Sequence, residues 1–226
     1  MIDLQRKDAV FVLTMKSGEN RFNRTFLTAL SEAVDEVERS DGPAALVTVG
    51  EGKFYSNGLD LDWLTGLGDV DAVGEFLTDF EKLFARLLCF PMITVAALNG
   101  HTFAGGAMLS LAHDFRVMRD DRGYWCLPEA DLGMPLRPGM NAIITGRLSK
   151  NTAHEAIVTG RRYGAAEAAE AGIVQQAVPE AEVLPAAIAL AAPHVGKKRE
   201  AQAALKQEMY AGVLEVLRAG APQAMV

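Results

Sequence analysis

Two glycine-containing segments are the first places in this sequence where residue types and spacing suggest chemistry. They read GKFYSNGLDL, residues 52–61, and NGHTFAGGAML, residues 99–109. Each follows an apolar run and precedes a helical pattern, and the free N–H groups at a helix start favour negative charge. The N–H groups of Leu59 and Gly105 are therefore candidates for two donors that converge on one oxygen. Loss of one such donor typically costs about 3 kcal/mol of transition-state stabilisation.

The glycine spacing also has a purely structural explanation. Ser56, Asn57 and Gly58 are typical of a turn, and the glycine pair of the second segment is typical of close packing between a helix and a sheet. Because glycines are common at turns, the spacing alone favours this explanation over an oxyanion site. Asp60 is predicted to cap the next helix rather than to act in catalysis.

The apolar pattern predicts the elements that position the two segments. The expected strands are residues 9–15, 44–50 and 91–98, and the expected helices are 23–42, 70–89 and 105–114. Strands that alternate with helices indicate an α/β core, in which ligands collect at the carboxyl ends of parallel strands.

The remaining chain is predicted to be mainly helical. Residues 114–127 are expected to form two short strands around a turn, and the alanine-rich chain from residue 147 onward is expected to be helical. Prolines at 179, 185 and 193 are expected to mark breaks between these helices.

Composition excludes several classes of function. The chain has 226 residues, a net charge of −7 and a pI of about 5.2, which argue against a general nucleic-acid or anionic-membrane binder. The scattered histidines and the absence of phosphate-loop and nucleophile-elbow motifs predict no metal, no bound cofactor and no covalent nucleophile.

Sequence features also predict where the protein resides. The cysteines at 89 and 126 are expected to be buried, reduced thiols in a reducing compartment. The N-terminus lacks a signal-peptide pattern, no apolar run is long enough to span a membrane, and the PQAMV tail is not a peroxisomal address. We therefore expect a cytoplasmic protein.

Four ordered motifs resemble the enoyl-CoA hydratase/isomerase, or crotonase, family. They are GKFYSNGLDL, PMITVAALNGHTFAGGAMLSLAHDFRV, LPEADLGM and GRRYGAAEAAEAGIVQQAVP. The resemblance implies a crotonase α/β fold of repeated ββα units at residues 1–190. It also implies a helical C-terminal segment at 191–226 that is not a separate domain. In that family two backbone N–H groups hold the enolate oxygen of an acyl-CoA thioester. The matching positions are Leu59 and Gly105, so the resemblance favours the oxyanion site.

The carboxylates indicate which reaction of the family to expect. Family hydratases use two glutamates to activate water, and the matching positions here are Met108 and Glu129. Methionine cannot accept a proton, so one carboxylate remains. That arrangement resembles the monofunctional Δ3,Δ2-enoyl-CoA isomerases, in which one glutamate moves a proton from C2 to C4. Asp131 is a rival acid. Alternatives are a hydratase, a thioester hydrolase or decarboxylase, and a non-catalytic acyl-CoA binder.

The resemblance also implies contacts with the CoA thioester. Those expected to contact it are Ser56, Asn57, Gly58, Asp60, Leu61 and Met108, and the candidate cations for its phosphates are Arg21, Lys53 and Lys206. The aromatic residues Trp63, Phe76, Phe80 and Trp125 fit an acyl tunnel and a packed core equally well. His101, Asp114 and Arg116 are expected to be structural, with His101 hydrogen-bonded. A homotrimer or a dimer of trimers is the implied assembly.

Overall fold

The computed structural model describes residues 1–220. Residues 221–226, which include the PQAMV tail and the end of the expected segment 191–226, lie outside the described residues. In chain order the strands are β1 (Ile2–Lys7), β2 (Val10–Met15), β3 (Ala45–Gly50), β4 (Phe54–Ser56), β5 (Thr94–Leu98), β6 (His101–Phe103), β7 (Phe115–Arg119), β8 (Trp125–Cys126) and β9 (Gln176–Val178). The helices are α1 (Arg24–Glu38), α2 (Leu61–Gly66), α3 (Val70–Leu88), α4 (Gly105–Ala112), α5 (Glu129–Leu132), α6 (Pro138–Arg147), α7 (Lys150–Thr159), α8 (Ala165–Glu170), α9 (Glu180–Ala191), α10 (Arg199–Met209) and α11 (Ala211–Ala219).

A six-stranded sheet forms the larger layer, in the order β1-β2-β3-β5-β7-β9. β1 pairs with β2 in antiparallel register, and the other neighbours are parallel. Strands β3 and β5 are buried along their whole length, as expected for parallel strands covered on both faces. The predicted buried strands at 44–50 and 91–98 are therefore confirmed.

A second, parallel sheet of three short strands, β4-β6-β8, positions the candidate site. The chain passes through three ββα units, which are β3-β4-α2, β5-β6-α4 and β7-β8-α5. The first strand of each unit joins the large sheet and the second joins the small sheet. The two short strands expected within 114–127 are confirmed as β7 and β8. They lie in different sheets, because β7 pairs with β5 and β9 whereas β8 pairs with β6.

The helices pack against this framework to different extents. Every residue of α4 is buried, because the helix lies in the interior. Helices α1 and α3 bury regularly spaced apolar residues, and α11 packs on α3 and α6. None of the helices within residues 1–220 combines the length and the apolar content that a membrane crossing requires.

The prolines divide the C-terminal helices only partly as predicted. Pro179 precedes α9, and Pro193 lies in a short 3-10 turn at Ala192–His194. The break expected at Pro185 is wrong, because α9 continues through it. Pro185 lies on the exposed face, while the opposite face of α9 stays packed on the large sheet through Val183 and Ala187.

Candidate active site

A cavity of about 470 Å³ lies where the three strands of the small sheet end. Leu59 follows β4, Gly105 follows β6 and Glu129 follows β8, and all three line the cavity. The other lining residues are Arg21, Asn57, Leu61, Asp62, Leu77, Phe80, Phe103, Ala104, Met108, Pro128, Leu132, Met134, Pro135, Arg137 and Met140. The predicted location at the carboxyl ends of parallel strands is therefore correct.

The two glycine segments touch each other beside this cavity. Gly58 has φ +81°, and a β-carbon added there would lie 2.8 Å from the Ala104 β-carbon and 3.1 Å from the Gly105 nitrogen. Ala104 has φ 49°, an uncommon value for a residue with a side chain. Its N–H donates to the Cys126 carbonyl, which ties the second segment to β8. Gly58 does not line the cavity itself and instead allows the two segments to approach.

Both candidate amides are free to donate. The Phe22 N–H donates to the Gly58 carbonyl at 2.8 Å, and the Asp60 N–H donates to the Phe22 carbonyl at 2.9 Å. These bonds fix the backbone on both sides of Leu59 and leave its N–H without a partner among residues 1–220. Gly105 is the first residue of α4, so its N–H has no acceptor within the helix. Two unused donors therefore border one cavity.

Glu129 supplies a carboxylate with an unsatisfied oxygen. Its Oε2 is buried and has no hydrogen-bond partner in the described part of the chain. Burial raises the pKa of the Glu129 carboxyl. The rival acid Asp131 is exposed, lies beside Gly160 and does not line the cavity. Asp62, the other lining carboxylate, is exposed to solvent, so Glu129 is the acid in the sheltered part of the site.

The surroundings of Glu129 are apolar. Met108, which occupies the position of the second glutamate of the hydratases, is buried and lines the same cavity. Its backbone N–H donates to the Ala104 carbonyl within α4. Pro128, Leu132 and Met134 line the cavity from the side of Glu129. None of these side chains can orient a water molecule by a strong hydrogen bond.

The sequence resembles a family of known enzymes over nearly its whole length. The model of the enoyl-CoA hydratase/isomerase family matches residues 5–223. The chain belongs to the enoyl-CoA hydratase/isomerase family. It is 32% identical to enoyl-CoA delta isomerase 3 of Arabidopsis thaliana, over 93% of this chain and 92% of that one. It is also 32% identical to a putative enoyl-CoA hydratase of Thermus thermophilus, over 81% of this chain and 72% of that one.

Solved structures of this family confirm the predicted fold. The crystal structure of a probable enoyl-CoA hydratase from Mycobacterium tuberculosis is 30% identical, covers 97% of this chain and 92% of that one, and has a TM-score of 0.90. The crotonase α/β fold and the family resemblance are thus confirmed, and the protein is an enzyme of the enoyl-CoA hydratase/isomerase family. Isomerase and hydratase names both occur among its relatives.

The expected CoA contacts of this family member divide into two groups. Asn57 and Leu61 line the cavity, whereas the Ser56 and Asp60 side chains do not. The Ser56 hydroxyl is fully buried, donates to the Asn20 carbonyl and accepts from the Gly58 N–H, so this side chain holds the loop together and does not face the cavity. Asp60 accepts from the Trp63 N–H at 3.2 Å, which confirms the predicted helix cap.

The three candidate cations lie in different places. Arg21 lines the cavity and pairs with Glu19, and Lys53 is exposed. Lys206 does not line the cavity, so the structure does not bring it together with the other expected CoA contacts. The Lys206 side chain is buried, and its ammonium donates to Asp114 at 2.7 Å and to the Phe90 and Met92 carbonyls. Asp114 is therefore structural, as predicted.

Most of the expected aromatic and structural residues belong to the core. Phe80 lines the cavity, whereas Phe76 and Trp63 pack behind it. Trp125 is buried and donates to the Ser110 hydroxyl, which fits core packing. His101 packs among aromatic rings, and its buried Nδ1 has no partner in residues 1–220, so the expected hydrogen bond is absent.

Arg116 and the cysteines are structural. The Arg116 guanidinium is buried and donates to the Ile173 and His113 carbonyls, as expected of a structural residue. Both cysteines are free thiols; Cys126 is buried, and Cys89 is half-buried.

Sequence reasoning missed a buried ion pair in the cavity wall. Arg137 lines the cavity, is 6% exposed, and donates from Nε to Glu81 Oε1 at 3.2 Å. Glu81 lies on the buried face of α3. The available signal was an arginine within the largely apolar stretch GMPLRPGM, residues 133–140, where a charge is unusual.

Proposed function

We propose that the protein is a Δ3,Δ2-enoyl-CoA isomerase, which converts a 3-enoyl-CoA into a 2-trans-enoyl-CoA. The substrate's thioester oxygen accepts hydrogen bonds from the Leu59 and Gly105 N–H groups. Glu129 removes the C2 proton, the electron pair of that C–H bond forms a C1–C2 double bond, and the π pair of the carbonyl moves to the oxygen to give the enolate. The enolate then reforms the carbonyl, the double bond shifts to C2–C3, and the protonated Glu129 returns the proton to C4.

One observation carries this proposal. Glu129 lines the sheltered part of the cavity, and its buried Oε2 has no hydrogen-bond partner among residues 1–220, whereas the buried Glu81 carboxylate is paired with Arg137 and does not line the cavity. A carboxylate whose pKa is raised by burial holds an abstracted proton more strongly, which suits a group that must first take a proton and then return it. The two unpartnered amides at the same cavity supply the donors that an enolate needs.

The apolar wall supports isomerisation over hydration. Hydration requires a water molecule held and activated near C3, and family hydratases use a second glutamate for this. Met108 offers neither a base nor a strong acceptor at that position. Isomerisation needs no water, and excluding water protects the enolate from protonation by solvent.

The test is to offer the purified enzyme 3-hexenoyl-CoA and 2-hexenoyl-CoA separately and to follow the absorbance of the conjugated enoyl thioester. An isomerase produces this absorbance from the first substrate and leaves the second unchanged. A hydratase removes it from the second substrate. Retention of CoA ligands with no reaction on either substrate would identify an acyl-CoA binder and overturn the proposal.

The proposed enzyme is also a homotrimer or a dimer of trimers in the cytoplasm. The assembly rests on the family resemblance, and the cytoplasmic location is part of the proposal. Light scattering on the purified protein measures its oligomeric state, and microscopy of a tagged full-length chain in its own cell measures its location.

A further inference from the structure

The cavity has an open side and a buried side. Leu61, Leu132 and Met134 line it and are 37%, 54% and 41% exposed. Five other lining residues are buried and form its buried side: Leu77, Phe80, Met108, Arg137 and Met140. A CoA nucleotide is far too large and polar for the buried side. If the thioester lies at the Leu59 and Gly105 amides, the CoA part of the substrate therefore extends through the open side of the cavity. The acyl chain then points towards the buried side.

Arg137 places a hydrogen-bond donor on that buried side. Its Nε donates to Glu81 Oε1 at 3.2 Å, and its Nη2 donates to Thr78 Oγ1 at 3.3 Å and to Glu81 Oε2 at 3.4 Å. The remaining nitrogen, Nη1, donates to no group among residues 1–220. Among residues 1–220, two fully buried side-chain polar atoms lack a hydrogen-bond partner, His101 Nδ1 and Glu129 Oε2. Arg137 Nη1 also lacks a partner but is not one of these two, so it is not fully buried. Arg137 is 6% exposed and lines the cavity, so a ligand in the cavity can contact this residue.

The Glu81–Arg137 ion pair would give no advantage in a cavity wall that contacts only a hydrocarbon chain. Apolar residues of similar volume in place of a buried ion pair are often neutral or stabilising. An alkyl chain packed over Nη1 would also remove its access to water without supplying an acceptor, which weakens binding. A chain with an oxygen at that point would instead complete the donor set of the guanidinium. Sites with such donors reject analogues that lack the partner group.

We propose that Arg137 selects 3-enoyl-CoA substrates whose acyl chain carries an oxygen acceptor beyond the double bond, and that Nη1 donates to this oxygen. The inference rests on the proposed isomerase function, because that function fixes the position of the thioester. A hydroxyl, a ketone and a carboxylate share the required chemistry. Glu81 balances the charge of Arg137, so a neutral oxygen is sufficient and a negative charge on the chain is not required.

The experiment measures kcat/KM for 3-enoyl-CoA substrates of matched length that end in a methyl, a hydroxyl, a ketone or a carboxylate. We expect at least one oxygen-bearing chain to exceed its methyl-terminated counterpart by about tenfold or more, as for a hydrogen bond to a charged group. In the double variant Glu81→Leu/Arg137→Met this ratio is expected to fall close to one. The readout is the ratio, because the variant also changes the shape of the cavity.

A matched control removes an ion pair from the same helix outside the cavity. Arg24→Met/Asp79→Leu deletes an exposed pair that includes an α3 residue, and the substrate ratio is expected to remain that of the wild type. Circular dichroism and thermal unfolding check that both variants fold. If the ion-pair variant does not fold, the conservative variant Arg137→Lys, which retains the charge but not the planar donor edge, provides the same test of the ratio.

Failure of the inference and failure of the proposed function are distinguishable. Turnover of methyl-terminated chains as fast as every oxygen-bearing chain overturns the inference and leaves the isomerase proposal intact. An oxygen preference that persists in the Arg137 variants also overturns it. If no substrate is turned over, the isomerase proposal fails, and calorimetric binding of saturated acyl-CoAs with the same chain ends then tests Arg137 separately.

Discussion

The α-carbon of Gly58 lies 3.5 Å from the position that a β-carbon would take on Gly105. This contact joins two segments that belong to different ββα units. A β-carbon on Gly105 would also lie 2.7 Å from Phe80 Cζ, so both glycines are required by close packing. The structural explanation of these glycines and the oxyanion explanation are therefore compatible, because the close approach brings the amides of Leu59 and Gly105 to one cavity.

The first prediction concerns this contact. Gly58→Ala is expected to lower kcat by about 100-fold, the effect of losing one oxyanion donor, because the new methyl group would separate the two segments. The measurement is the initial rate on a 3-enoyl-CoA together with the unfolding temperature.

Gly52→Ala is the matched control for Gly58→Ala. Gly52 has φ +76°, close to the +81° of Gly58, but nothing lies within 4 Å of an added β-carbon. Both variants therefore have similar backbone strain, of about 1 kcal/mol, and only one disturbs the contact. An equal loss of kcat in the two variants would attribute the effect to strain and contradict the role of the contact.

The sequence predicted the position of the two glycine segments because the strands before them obey general rules of α/β structure. Buried strands 44–50 and 91–98 are continuous apolar runs, so their carboxyl ends, and the segments that follow them, could be located. Glu129 was located through the family motif. In the structure it follows β8, so the parallel strands β4, β6 and β8 each deliver one of the three candidate groups to the same edge.

The parts that the sequence did not predict depend on distant contacts. Strands β4, β6 and β8 have two or three residues each, too few for a pattern, and β7 and β8 separate into different sheets although they are neighbours in sequence. Lys206 was assigned to CoA because it falls near a position that approaches CoA in the family that the sequence resembles. Its burial against Asp114 depends on packing between residues 92 positions apart.

The second prediction concerns Glu129 as the proton carrier. Glu129→Gln keeps the size of the side chain but cannot accept a proton, so kcat is expected to fall by about 100-fold or more. Asp131→Asn removes the neighbouring exposed acid and is expected to retain activity. Full isomerase activity in the Glu129 variant would exclude it as the base.

The third prediction concerns the pH dependence of activity. The free enzyme must hold Glu129 as a carboxylate to remove the C2 proton, so kcat/KM falls as the pH falls through its pKa. Burial raises that pKa above the ordinary glutamate value of 4.5. The acidic limb of the kcat/KM profile is therefore expected to have its midpoint above 4.5. A midpoint at or below the ordinary value would show that the acting carboxylate is solvated.

The fourth prediction follows from the same pKa through the stability of the fold. Between the ordinary carboxyl pKa and the raised pKa of folded Glu129, the folded chain keeps the Glu129 proton and the unfolded chain has lost it. In that range the stability of the fold decreases as the pH rises. Glu129→Gln removes this penalty, so the variant is expected to unfold at a higher temperature than the wild type at neutral pH. The difference should shrink as the pH falls towards the ordinary carboxyl range. Asp131→Asn, an exposed change, should show no such gain, and a gain of equal size there would contradict burial as the cause.

The fifth prediction separates stability from substrate binding at Lys206. Its ammonium is buried and donates to Asp114 and to the Phe90 and Met92 carbonyls. Lys206→Met removes the charge partner of Asp114, which keeps only its hydrogen bonds from Thr94, and is expected to cost about 3 kcal/mol of unfolding free energy. Lys197→Met, at an exposed lysine, is expected to cost little. Denaturant titration measures both. Because Lys206 does not line the cavity, KM for acyl-CoA should be the same in the two folded variants. A rise of KM in the Lys206 variant alone, without loss of stability, would show that Lys206 contributes to CoA binding.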